Sequence, residues 1–143
     1  MVITAIAYYL VSNVSEPKKP IEVVFYNVEN LFDTVEDTTI WDDEFLPDSA
    51  KDWTQERYNK KLVDLAKVLT SISEDDLPEV VGVCEVENRQ VVEDLFKTDS
   101  LGKGKFKVIH EQSPDFRGID VALAYNSDLL SELYHEKIRY SFS

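Results

Sequence analysis

The amino-acid sequence predicts an α/β domain built in layers, and two observations carry the prediction. Ile21–Val28 (IEVVFYNV) and Val80–Cys84 (VVGVC) are rich in β-branched and aromatic residues on both faces, as buried strands are. Between them Tyr58, Leu62, Leu65, Ala66, Leu69 and Ile72 recur at helical spacing, which turns one apolar stripe toward a core. Strand, helix, strand begins an α/β layer. Two strands joined in this way lie parallel through a right-handed crossover, and the carboxyl ends of such strands are where ligands gather.

At the amino end Val2–Val11 (VITAIAYYLV) is an unbroken run of apolar residues and Thr4, followed by a polar stretch through Pro20. The run is too short to span a bilayer as a helix, which takes about 20 residues. It has the length of an export-signal core without the basic residues that should precede one. Residues 1–20 therefore read as a signal-like or disordered segment, or as a short docking strand. A signal would make the protein an exported one; otherwise the cytoplasm is expected. The domain proper runs over 21–143.

Ile21–Val28 reads as a buried central strand. Residues 33–48 then carry seven acidic side chains and no basic one, broken by threonines, Trp41 and Pro47. That is a long loop, and long loops in compact domains are usually functional or mobile. Asp52, with Gln55 three residues on, forms a capping box for the first helix. Glu74–Pro78 ends that helix, and Val80–Cys84 follows as the second strand. Asn88 caps a short helix that faces inward with Val91, Val92, Leu95 and Phe96. Beyond a turn at Gly102 and Gly104, Phe106–Ile109 and Ile119–Tyr125 form a hairpin. A last helical turn is expected over Asp128–Tyr134 and a final strand over Lys137–Ser143. No internal repeat or low-complexity segment is present.

Composition excludes several classes. The 143 residues, 43% of them hydrophobic and 11% aromatic, supply one modest core and are not those of a disordered chain. Cys84 is alone, so no disulfide staples the chain. Four glycines and five prolines exclude a collagenous or linker-like protein. The net charge is −13, and Lys18-Lys19 and Lys60-Lys61 are only pairs, so there is no basic stripe. That argues against tight, metal-free binding of duplex DNA. A carboxylate that holds a divalent cation is another matter, because the ion inverts the local field.

Asn27 closes the first strand and Glu85 the second, so neighbouring strands would bring both to one edge of the sheet. One carboxylate and one amide oxygen suit Mg²⁺ (or Mn²⁺), which takes oxygen ligands, keeps several waters and shares the substrate's phosphate. The plainer reading is that Asn27 turns the chain and Glu85 is a solvated strand end. Arg117 and Asp120 flank Gly118 at the start of the last long strand. A phosphate contact for Arg117 and a supporting or metal role for Asp120 stand beside a salt-bridged loop exit. Glu87 could orient Glu85 or a water, Asn88 suits the helix cap, Asn30 supports the site, and Glu29 faces solvent. Arg57 and Lys61, one helical turn apart, are expected to pair with the acidic loop at the surface. Cys84 is strand filler with no base near it. Trp41 and Trp53 read as loop anchors rather than base-stacking platforms. The acidic loop lacks the spaced ligands and glycine of an EF-hand.

Three segments share a wider pattern: FYNVENLFD (Phe25–Asp33), VVGVCEVEN (Val80–Asn88) and HEQSPDFRGIDVALAY (His110–Tyr125), with WTxxRYxxK in the helix between. In this order they resemble the endonuclease/exonuclease/phosphatase superfamily, in particular its bacterial subgroup with CEVEN and RGIDVAL motifs. In that family an Asn ends the first core strand and a Glu closes a GLQE-type second strand, both at a divalent-metal site. Asn27 and the Glu85 of Gly82-Val83-Cys84-Glu85 stand at those positions. The resemblance implies the N-terminal half of a four-layer α/β/β/α sandwich, one mixed sheet with helices on one face. It also implies Mg²⁺- or Mn²⁺-dependent hydrolysis of a phosphate ester, in nucleic acid or a phosphorylated small molecule.

The family's Asp-x-Asn motif and C-terminal Asp-His pair have no counterpart, and His135 has no Asp before it. The expectation is a truncated hydrolase domain that carries the first half of the metal site and is inactive alone. It would leave one apolar sheet face for a complementary C-terminal half or for self-association. Two readings from other classes stand beside it: a non-catalytic binding module that uses that face, and a gene fragment without a function of its own.

Overall fold

A computed structural model describes residues 20–73 and 76–138. The expectation for residues 1–20 lies, Pro20 apart, outside the described residues, as does the final strand beyond residue 138. Strand β1 (Val23–Leu31) leads through the acidic loop, with a 3₁₀ turn at Asp43–Phe45, into helix α1 (Gln55–Thr70). Then come β2 (Val80–Val86), α2 (Arg89–Phe96), a second 3₁₀ turn at Gly102–Gly104, β3 (Phe106–Glu111) and β4 (Asp120–Asn126). The strands make one mixed four-stranded sheet in the order β1-β2-β4-β3. β1 runs parallel to β2, with Val23 opposite Val80 and Asn27 opposite Cys84. β4 lies antiparallel to both of its neighbours. The strand-helix-strand reading and the hairpin thus stand as α/β architecture.

The core sits between the sheet and the helices. Tyr58, Leu62, Leu65, Ala66 and Leu69 of α1 and Val91, Val92, Leu95 and Phe96 of α2 are buried against Val28, Val81, Val83, Val86, Ala122 and Ala124. A smaller cluster, Val80, Ile109 and Tyr125 with Leu123 and Leu130, occupies the other side. Side chains alternate along a strand. Val24 and Tyr26 pack on the helix-side core, so Val23, Phe25 and Asn27 face the opposite way.

Four expectations are corrected. Among the described residues β1 is an edge strand, not a central one, and its outer face leaves Val23 66% and Phe25 69% exposed. Its apolar residues on both faces read as two-sided burial, but within the described residues only one face is covered. The N-cap of α1 is Thr54, whose hydroxyl accepts from Arg57 N; Asp52 instead takes a left-handed turn at φ 48°. Ile72 falls beyond the end of α1 and is 40% exposed. Asp128–Tyr134 is not helical: a turn over residues 127–129 gives way to irregular chain. Leu129, Leu133 and Tyr134 are each more than 60% exposed there, and so short a segment does not hold a helix without a core to pack against.

Candidate functional site

β1 and β2 break regular extended geometry at the same level of the sheet. Glu29, Asn30 and Glu85 have φ of 53°, 62° and 63°, a left-handed conformation uncommon outside glycine. Pairing is regular as far as Asn27–Cys84 and resumes at Leu31–Val86, so the bend lies between. It is held from two sides. The Asn27 Oδ1 accepts the Glu29 N–H at 2.7 Å, and the Lys61 ammonium donates to the Glu29 and Asn30 carbonyls at 2.6 and 3.2 Å.

The bend turns Asn27 and Glu85 toward each other: Asn27 Nδ2 donates to Glu85 Oε1 at 2.9 Å. The two sequence candidates therefore meet at the bend of neighbouring parallel strands, on an accessible edge. Asn27 does not close β1 as expected but sits midway along it, while Glu85 is next to the last residue of β2. Both groups retain acceptor capacity, because an amide oxygen has two lone pairs and a carboxylate about four acceptor positions. Among the described residues no three His, Cys, Asp or Glu side chains gather as a metal-holding group. Any divalent ion here would rest on this carboxylate and amide, on waters and on its phosphate ligand, an arrangement typical of Mg²⁺.

Cations flank the pair. Burial pushes the Lys61 ammonium below its ordinary value, while Glu29 and Glu85 favour its charged form. Arg117 grips Asp115 through Nη2 at 2.8 Å and Nε at 3.1 Å. That pairing raises the guanidinium and holds Asp115 low, and Glu85 adds to the first effect, which puts Arg117 within its electrostatic reach. Asp120 is 2% exposed. Its Oδ2 meets His110 Nε2 at 2.8 Å, and its Oδ1 accepts the Ser113 N–H at 2.6 Å. Asp120 thus pins the loop over residues 112–119, which carries Arg117. His110 and Asp120 alternate in phase with Val108 and Ala122, on the helix side of the sheet.

Other candidates find different partners from those expected. Arg57 and Lys61 do not pair with the acidic loop: Arg57 donates to the carbonyls of Lys51 and Asp52. Both cations lie over the Trp53 ring, at 5.9 and 5.6 Å. The tight turn before α1 and the bend in β1 expose carbonyls without strand partners, and these compete successfully for the charge. Trp53 is a loop anchor, buried with its indole N–H on the Phe32 carbonyl at 3.0 Å. Trp41 is not buried in the same way; its ring is 72% exposed. Asn88 caps α2 through the Val91 N–H at 3.0 Å and donates to Asp33 at 3.2 Å.

Glu87, read as able to orient Glu85 or a water, has Asp33 as its partner, and one pairing was missed. Glu87, 4% exposed, accepts the Asp33 N–H at 2.7 Å. Burial, seconded by Asp33, Asp42 and Asp37, pushes it up to about 7 against that hydrogen bond. The His110–Asp120 pair was legible only through the hairpin register, which sets His110 opposite Ala122 and so diagonal to Asp120.

Two findings come from comparison with known proteins. The model of a family described as "Endonuclease/Exonuclease/phosphatase family" matches residues 22–142. No curated protein and no solved structure matches the chain.

Proposed function

The chain belongs to the endonuclease/exonuclease/phosphatase family, and from that premise we propose a metal-dependent phosphoester hydrolase domain in which Asn27 and Glu85 hold the divalent ion. The family implies phosphoester substrates, and its members generally depend on a divalent metal. One observation carries the reading for this chain: the contact of Asn27 with Glu85 across the bend that β1 and β2 share. Hard oxygen donors in this number suit Mg²⁺ or Mn²⁺.

When bound, such an ion supplies positive charge to a phosphate oxygen and to the charge that develops during displacement. The remaining chemistry rests on side chains. Glu85 is the anionic ligand, and Asn27 orients it while offering its own oxygen. Lys61 keeps the β1 bend in place and adds positive potential. Arg117 spends Nε and Nη2 on Asp115 and keeps further N–H donors for a phosphate, the anion its fork matches. Asp120 and His110 position Arg117 through the 112–119 loop.

Among the described residues the buried His110–Asp120 pair lies on the helix side and supplies no base at this edge. General base catalysis contributes about 10²- to 10⁴-fold, so the 143-residue chain by itself is expected to hydrolyse phosphodiesters at background rate. Metal binding is therefore the test. Titration with Mn²⁺, read by loss of the free-ion EPR signal, should show one weak site. Glu85→Gln should weaken it about tenfold or more, given that changes beyond the direct ligands already cost about 10- to 100-fold. Glu87→Gln should matter much less. Binding indifferent to Glu85→Gln would overturn the assignment.

A further inference from the structure

We propose that the cleft beside this edge is a stacking subsite for an aromatic ring, a nucleobase, carried by the phosphoester substrate. The inference rests on Asn27 and Glu85 as the phosphate end of the site and names the class of molecule bound there. Trp41 and Phe116 are 72% and 60% exposed, yet their rings meet edge-on, with centroids 4.9 Å apart and planes at 74°. They form a fixed shelf. The Trp41 N–H donates to the Phe116 carbonyl at 2.9 Å and ties the acidic loop to the 112–119 loop.

Each loop is anchored in turn. Ile40 fills the space where a side chain on Gly118, at φ 68°, would lie. Asp42 is buried and accepts the Asp37 N–H at 2.8 Å. Asp120 holds Ser113. A shelf already ordered loses little entropy when a ring settles on it.

The cleft has a volume of about 490 Å³ and is lined by Trp41, Phe116, Phe32, Phe45, Lys51 and Arg117. That is the size range of small-molecule sites. Asn30, in the β1 bend beyond Asn27, and Arg117 line the same cleft, and Lys51 there is paired with Glu44 at 2.6 Å. Asp43 also lines the cleft, where its carboxylate would accept from a base's amino group. A substrate with its phosphate toward Arg117 and Asn30 and its ring on Trp41 and Phe116 would fill the cleft. Sugar and inositol phosphates have no π face for the shelf.

The test uses ¹⁵N-labelled full chain with adenosine monophosphate and, as the ring-free probe, ribose 5-phosphate. Stacking of a base is worth about 5- to 150-fold in affinity. Millimolar adenosine monophosphate should shift the Trp41 indole N–H and leave that of buried Trp53 in place. Trp41→Ala or Phe116→Ala should weaken its binding at least about fivefold and leave ribose 5-phosphate unaffected. Both variants change exposed rings and keep the backbone hydrogen bond, so folding is not at stake. No shift at Trp41, or equal binding of the two probes, would overturn the shelf.

The titration is run in EDTA and again with Mg²⁺. A Trp41 response that survives in EDTA, in a protein that binds no Mn²⁺ at Glu85, keeps the shelf and removes the metal reading. Mn²⁺ binding at Glu85 without a Trp41 response does the reverse.

Discussion

Glu29, Asn30 and Glu85, none of them glycine, occupy left-handed backbone conformations at the bend of the two parallel strands, just before their last paired residues. A non-glycine residue in that region costs roughly 1–2 kcal/mol, so the bend persists only because its surroundings fix it. Lys61 is one restraint, with the Glu29 and Asn30 carbonyls on its ammonium, and the Asn27 amide oxygen on the Glu29 N–H is the other. Lys61→Met should lower stability by roughly 1–2 kcal/mol in urea unfolding, the cost of stranding those carbonyls, and Lys61→Arg should recover part of it. An unchanged midpoint would show that the bend holds without it. Asn27 and Glu85 were legible because each ends an apolar run. The bend was not, since Asn-Val-Glu-Asn carries no glycine to mark it. Lys61 was misread for the same reason: its partners are carbonyls that only the bend exposes.

Among the elements, the two helices were readable from their apolar spacing, but their first residues followed hydrogen-bond geometry that spacing does not encode. Asn88 fits both descriptions, being the expected cap and also a donor to Asp33. Asn88→Ala should therefore cost about 1–2 kcal/mol, seen as a lower melting temperature; a loss within error would mean the cap is replaced by solvent. The failed helix over Asp128–Tyr134 shows the opposite case: only Leu130 packs on a core cluster, while Leu129, Leu133 and Tyr134 stay exposed. That segment is held by its side chains instead. His135 Nε2 meets Glu111 at 3.0 Å and its Nδ1 meets Glu132, and these carboxylates, Glu132 first, raise the imidazole above its ordinary 6.5. A raised histidine contributes fully below its unfolded value and loses that contribution as pH climbs through the raised one. Amide exchange over residues 131–138 should therefore quicken as pH rises above 6.5, beyond the intrinsic chemical rate, and His135→Ala should remove the dependence. A variant that keeps it would place the switch elsewhere.

For the molecule as a whole, the layer order and the parallel β1–β2 pair followed from the run of strand, helix and strand. Which strand lies at the edge did not follow, because a two-faced apolar strand reads alike whether or not both faces are covered. The WTxxRYxxK motif acquires a structural meaning at this scale: Trp53 anchors Phe32, Thr54 caps α1, and Arg57 and Lys61 bind the carbonyls on either side. Tyr58 joins the helices through Asp94 at 3.0 Å. The motif locks α1 against the bent end of β1, and so serves the edge where Asn27 and Glu85 meet. That this edge is where the protein holds its ion is the central claim, and the acidic loop is its rival. Paramagnetic broadening by substoichiometric Mn²⁺ in the ¹⁵N-labelled chain separates the two. The account predicts selective loss of amide signals at Asn27–Asn30, Glu85–Val86 and Arg117–Ile119, and their return in Glu85→Gln. Broadening centred on Asp37–Glu44, unchanged by Glu85→Gln, would contradict it.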